Sequence, residues 1–163
     1  MILVRHAKSV VEPTVAPADW ALAEGAHEAA AELGRHLRGA RVLASTERKA
    51  IETAEALGVG PATTSEAFCE VTRPWYDDGD AMARDAQRWF AGETVDGWER
   101  FEAAVDRFAA GVLTDAVIVT HGTVMTAWLL SASFVTDPFA FWRDLRMPDA
   151  WEVGRNLTRC PTS

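Results

Sequence analysis

Four apolar residues, Met1-Ile2-Leu3-Val4, open the chain without any helical period, and a second such run, Ala116-Val117-Ile118-Val119-Thr120, lies far downstream. Short runs of this kind read as strands covered on both faces. Between them Leu22, Ala26, Ala29, Leu33 and Leu37 recur at helical spacing and predict a helix over residues 25–38, with Gly39 as its stop. Val42-Leu43-Ala44 marks a strand within residues 41–45, residues 47–57 read as a helix ended by Gly58, and a short strand is expected at 62–64. Asp80 is expected to cap a helix bearing Met82, Ala86, Trp89 and Phe90. A further helix over 98–113 carries Trp98, Phe101, Val105, Phe108 and Val112 on one stripe, which reads as core. Residues 123–130 predict a helix, Asp137-Pro138 opens a short one, and Trp151-Glu152-Val153 reads as a last, antiparallel strand at the sheet edge. Strands alternating with helices define the α/β class.

Two stretches resist both periods. Residues 10–20 contain Pro13 and Pro17 and read as a loop that could rim a pocket. Arg73-Pro74-Trp75-Tyr76-Asp77-Asp78-Gly79 reads as irregular chain crossing the same face.

The chemistry gathers at two strand ends. The first strand delivers Arg5 and His6, with Lys8 and Ser9 close behind; the downstream strand delivers His121 and Gly122 at the start of a helix. Ligands of open α/β sheets bind at the carboxyl ends of strands, and a helix start offers free N–H groups to an anion. Two cations and a hydroxyl around an imidazole suit a dianion and keep the imidazole neutral, which makes it a nucleophile beside a bound phosphoryl group.

Composition narrows the field. In 163 residues, 48% are hydrophobic, with seven Trp and seven Phe, so disorder is excluded and one domain spanning residues 1–163 is the simplest reading. The net charge of −8 argues against a nucleic-acid partner, and means that any phosphate site rests on a local cluster of cations. Cys69 and Cys160 are too few for a disulfide framework or a cysteine metal site. The opening apolar run is too short for a signal peptide and no stretch has the length of a membrane span, so a cytoplasmic protein is expected.

Leu3-Val4-Arg5-His6-Ala7-Lys8-Ser9 resembles the opening motif of the histidine phosphatase superfamily, also called phosphoglycerate mutase-like, and Val119-Thr120-His121-Gly122 resembles its second histidine motif. Leu22, Gly25 and Ala29 resemble its first-helix signature, residues 45–54 its Ser-x-x-x-Arg-Ala-x-x-Thr-Ala segment, and Phe68-Cys69-Glu70 the segment carrying its proton-donor glutamate. The resemblance implies a three-layer α/β/α sandwich with a mostly parallel sheet and an antiparallel edge strand. It further implies His6 as nucleophile carrying a phosphohistidine, Glu70 as proton donor and then base, and His121 as a hydrogen-bond donor to the phosphoryl oxygens. Arg5, Ser9 and Gly122 would bind phosphate, with no metal and no cofactor. The substrate would be a phosphorylated small molecule or a phosphoprotein.

The departures from the pattern matter. Lys49 occupies the slot of the family's second phosphate-binding Arg, and Arg48 lies about 100° around the helix. Lys replaces the charge but not the bidentate fork, so Arg48 or Arg73 is expected to lend a guanidinium. Arg48 could equally be a helix-surface charge paired with Glu52. Ala7 replaces a common Gly, Glu12 stands where many members have Asn, and His27 takes a Gln position. His27 and His36 read as surface residues, Glu66 is a weaker rival of Glu70, and Asp77, Asp78 and Asp80 read as a solvated loop. The modest segment between Arg73 and Asp115 leaves little material for a lid over a bisphosphate, favouring a short phosphatase over a mutase. The alternative is a catalytically weak protein that recognises phosphorylated partners.

Overall fold

The computed structural model describes residues 1–38 and 41–161. Strands β1 (Ile2–Arg5), β2 (Arg41–Ala44), β3 (Ala62–Thr64), β4 (Ala116–Thr120), β5 (Asp149–Val153) and β6 (Leu157–Arg159) form one sheet in the order β3-β2-β4-β1-β5-β6. The first four are mutually parallel; β5 runs antiparallel to β1, and β6 antiparallel to β5. The helices are α1 (Ala26–Gly34), α2 (Arg48–Leu57), α3 (Gly79–Phe90), α4 (Phe101–Gly111), α5 (Gly122–Ser131) and α6 (Pro138–Asp144).

Side chains alternate across each strand, and the two sets meet different partners. Val4, Val42, Ala44, Val117 and Val119 pack with Leu33 of α1 and with Ala50, Ala54 and Leu57 of α2. Leu3, Ala116 and Ile118 face the opposite way, into a cluster with Phe68, Phe108 of α4 and Met125 and Leu129 of α5. The sheet thus separates two helical layers, and the three-layer α/β/α arrangement is observed. All five residues of β4 are buried, which is why that run carries no polar alternation.

Several boundaries differ from the expected ones. Helix α1 stops at Gly34; its buried stripe uses Ala30, while Ala29 is exposed. A Cβ on Gly34 would sit 1.9 Å from the Leu57 carbonyl oxygen, so the close crossing of α1 over α2 requires glycine there. The expected stop at Gly39 lies outside the described residues. Asp78, not Asp80, caps α3, accepting the Asp80 N–H at 2.9 Å. Trp98 precedes α4 and packs on Trp89 instead, with ring centroids 5.7 Å apart. Strand β5 is not the edge: β1 flanks it on one side and β6 on the other, so the unpredicted β6 is the outermost strand.

The topology places the site. Because β2, β4 and β1 are parallel neighbours, their carboxyl ends lie side by side. The ladder runs one residue past each: the Ser45 N–H donates to the Val119 carbonyl at 2.9 Å and the His6 N–H to the Thr120 carbonyl at 2.9 Å. Ser45, His121 and His6 therefore form a row at one end of the sheet.

Candidate active site

The two histidines are buried, His6 at 8% exposure and His121 at 1%, with ring centroids 5.1 Å apart. His6 Nδ1 lies 2.7 Å from the Ala7 carbonyl oxygen. A carbonyl only accepts, so Nδ1 carries the proton and Nε2 keeps its lone pair. The turn is pinned from behind: the Ala7 N–H donates to Thr53 Oγ1 at 3.0 Å, and that hydroxyl donates to the Lys49 carbonyl at 2.6 Å. His121 Nε2 lies 2.9 Å from Ser45 Oγ and 3.2 Å from Glu47 Oε1. The carboxylate only accepts, so Nε2 carries the proton; Nδ1 is buried without a hydrogen-bond partner.

Both imidazoles are held neutral. Burial pushes His6 well below its ordinary value, and His121, Lys49 and Arg5 push the same way against the Ala7 carbonyl. Burial lowers His121 to about 3, with Glu70 opposing and Lys49, Arg5 and Arg107 assisting. Unfolded histidine titrates near 6.5, so the native state binds fewer protons below that value and stability falls as the solution is acidified. Between pH 7.5 and 5.5 each neutral-buried histidine should cost roughly 1.4 kcal/mol, about 3 kcal/mol for the pair. Urea midpoints at the two pH values check this, and His6→Asn should halve that part of the drop. A wild-type midpoint that is flat with pH contradicts it.

Two of the candidate cations reach the histidines. Arg5, at the end of β1, donates from one terminal nitrogen to the Leu145 carbonyl at 2.9 Å, while its Nε is buried without a partner. Burial lowers the Arg5 value, with Glu70 and Asp149 opposing. Gly122 lets this guanidinium lie close to α5, since a Cβ there would come within 3.1 Å of Arg5 Nε. Lys49 is 6% exposed; its Nζ donates to the Pro17 carbonyl at 2.6 Å and to Glu47 Oε2 at 2.5 Å, which leaves one of three N–H groups for a ligand.

The other candidates stand apart. Arg48 points outward and pairs with Glu52 at 2.7 Å, so it is a surface charge. Helix geometry explains the choice: Lys49, Thr53 and Leu57 share the buried face at i, i+4 spacing, and Arg48 lies on the next one. Arg73 packs over the Tyr76 and Trp98 rings, 6.0 Å and 5.8 Å from their centroids, and donates to the Pro74 carbonyl at 3.3 Å. The reading of Arg48 as a helix-surface charge paired with Glu52 is the one the geometry matches. Ser9 pairs through its backbone with Leu22 in an isolated bridge, and Lys8 is exposed. His27 and His36 are exposed, as expected, and so is Glu66. Asp77 and Asp78 serve local bonds to Trp75 Nε1 and the Asp80 N–H.

Glu70 joins the site from a loop. Its carboxylate accepts the Thr123 and Val124 N–H groups at 3.2 and 2.9 Å, which fixes it at the start of α5 beside the second histidine. Glu47 was not singled out by sequence reasoning, yet its Oε1 touches His121 Nε2 and accepts the Glu70 N–H at 2.8 Å, while Oε2 holds Lys49. One carboxylate thereby ties three site residues together. The available signal was its position, two residues before Lys49 and just before a helix whose buried face includes that lysine.

A neutral imidazole with a free Nε2, flanked by a second histidine, two cations and a glutamate at the strand ends of an α/β sheet, is an arrangement for phosphoryl groups. Residues 1–153 match the histidine phosphatase superfamily (branch 1), and the chain belongs to that family. Solved structures share its fold. The protein TTHB049 from Thermus thermophilus superposes with a TM-score of 0.72 at 21% identity, covering 98% of this chain and 99% of that one. The mycobacterial glucosyl-3-phosphoglycerate phosphatase gives 0.62 at 18% identity, covering 93% and 87%. A phosphoserine phosphatase from Entamoeba histolytica, in complex with 3-phosphoglyceric acid, gives 0.65 at 16%, covering 99% and 96%. No curated protein sequence matches the chain. No helix among the described residues is long and apolar enough to cross a membrane.

Proposed function

We propose that the chain is a metal-independent phosphatase that hydrolyses a phosphomonoester or phosphohistidine through a covalent intermediate on His6. The observation that carries this reading is the free Nε2 of a buried, neutral His6, 5.1 Å in ring separation from His121 and close to Arg5 and Lys49. His6 Nε2 attacks phosphorus as the ester P–O bond breaks, and Glu70 gives a proton to the leaving oxygen. Glu70 then takes a proton from water, which attacks the phosphohistidine; the N–P bond breaks and phosphate leaves. Arg5 and the remaining Lys49 N–H neutralise the equatorial oxygens, with the Gly122 N–H as a further donor.

His121 enters this scheme with a consequence of its own. Its Nε2–H is committed to Ser45 and Glu47, so only Nδ1 is free, and a neutral Nδ1 accepts rather than donates. It can bond a phosphoryl oxygen only if a proton comes between them, carried in by the phosphate monoanion or bound as the dianion raises the imidazole's basicity. The segment between residues 73 and 115 is consistent with a phosphatase over a mutase: α3 and α4, the only helices in it among those described, bury Trp89 and Phe108 in the core and are unavailable as a lid.

A non-catalytic phosphate-binding role has one observation in its favour: Lys49, a point charge without the bidentate fork of an arginine, stands in the second cation's place. Glu70→Gln separates the two. Hydrolysis of p-nitrophenyl phosphate in EDTA should fall by about a hundredfold or more while affinity for inorganic phosphate is retained. Turnover unaffected by the change would remove Glu70 from the mechanism, and no turnover in the wild type with any ester would favour the binding protein.

A further inference from the structure

Beside the phosphate-binding lysine lies an open hollow of about 230 Å³ lined by Pro13, Val15, Pro17, Trp20 and Trp75, together with small loop residues, and no charged side chain lines it. Trp20 and Trp75 meet edge to face, with ring centroids 5.3 Å apart and planes at 86°, so they form a corner. Their polar atoms are already spent. Trp20 Nε1 donates to the Glu12 and Val15 carbonyls, both at 3.1 Å, which pins the proline loop; Trp75 Nε1 donates to Asp77 at 2.8 Å. What remains open is π-surface, and Trp75 is 48% exposed, unusual for so large an apolar side chain.

Lys49 joins this corner to the histidines. Its Nζ lies 5.9 Å from the Trp20 ring centroid and bonds the Pro17 carbonyl of the hollow's wall, while its charge acts on His6 and His121. A phosphoryl group held by Lys49 would therefore present its ester group to the two indoles. On the reading that His6 accepts the phosphoryl group, we infer that the substrate is a small phosphate monoester whose ester group is flat and aromatic, seated in the Trp20–Trp75 corner.

The charges point the same way. Glyceric and seryl phosphates carry a carboxylate that needs a second cation, and neither nearby arginine is turned to supply it: Arg48 is turned outward onto Glu52, and Arg73 lies over Tyr76 and Trp98. Glu47 and the overall charge of −8 further disfavour an anionic ester group. An aromatic ring needs no counter-ion, and an apolar cavity of about 150 Å³ already takes up benzene.

Calorimetric titration of the full chain with phenylphosphonate and methylphosphonate tests this without turnover. Phenylphosphonate should bind about tenfold or more tightly than methylphosphonate, from ring stacking and apolar burial. The ratio should collapse to within about twofold in Trp75→Ala and return in Trp75→Phe, which guards against a merely disordered loop. Equal affinities in the wild type, or a ratio unmoved by Trp75→Ala, would overturn the inference. A preserved preference in a protein that hydrolyses no ester would uphold the corner and count against the phosphatase alone. Failure of both phosphonates to bind would overturn the phosphate site and the corner with it.

Discussion

Replacing His6 with alanine should cost at least about a thousandfold in p-nitrophenyl phosphate turnover, measured in EDTA beside the wild type. The size follows from the geometry. The other members of the row are already engaged: Ser45 Oγ is bonded to His121 and to the Cys69 thiol and accepts the Glu47 N–H at 3.1 Å, and His121 is tethered by its Nε2. Without the imidazole, water would have to attack the ester directly, and the gain from splitting one displacement into two is lost. The variant should fold, because the His6 ring bonds only its neighbour's carbonyl, so circular dichroism should match the wild type. A second readout is independent of rate: acid quench destroys an N–P bond and base spares it, so the wild type should yield base-stable, acid-labile labelled protein and the variant none. Turnover that persists in His6→Ala would mean that the nucleophile is elsewhere.

Glu47→Gln should move stability and phosphate affinity in opposite directions. The Glu47–Lys49 pair is nearly buried, at 11% and 7% side-chain exposure, and removing one partner leaves an uncompensated charge inside the protein. Such losses run to about 3–5 kcal/mol, and the retained amide oxygen, which can still accept from Lys49, places this one near about 3 kcal/mol. The same change frees Lys49 from its competing anion. Inorganic phosphate, a better partner than a neutral amide, should then bind several-fold more tightly. Urea unfolding and phosphate titration of one preparation decide the matter. A variant that is less stable and also binds phosphate more weakly would show that Glu47 acts mainly by holding His121 and Glu70 in place.

Much of the fold is legible in the sequence. Strand β1 and strand β4 announced themselves as apolar runs closing on a histidine, β3 falls on its expected residues, and Gly58 ends α2 at φ 64° as its position implied. These features are local. What escaped depends on the juxtaposition of distant segments. Glu47 sits 23 residues from Glu70 and reads in isolation as a common acidic start to a helix. Strand β6 is three residues long and owes its existence to pairing with β5, although the Gly154–Asn156 turn before it was a hint. The choice of Lys49 over Arg48 was available from the i, i+4 spacing with Thr53 and Leu57, a helical argument that outweighs the preference for a guanidinium. The sequence predicts that residues 73–79 cross the active-site face; Trp75 meets Trp20 of the proline loop, while Arg73 is claimed by two aromatic rings.

The ladder bonds of His6 and Ser45 onto β4 set how the active site can be lost. The amide protons of both residues are held just past the carboxyl ends of β1 and β2, the two strands that flank β4 in the interior of the strand order. In hydrogen exchange such buried, ladder-bonded protons should be released together with the strands they bond, whereas the mostly exposed loop at residues 10–20 should open at lower cost. Catalytic competence and the fold should therefore disappear together on heating. A protease would meet either an intact enzyme, nicked at most in that loop, or a fully unfolded chain, with no half-folded remnant that still carries the paired histidines.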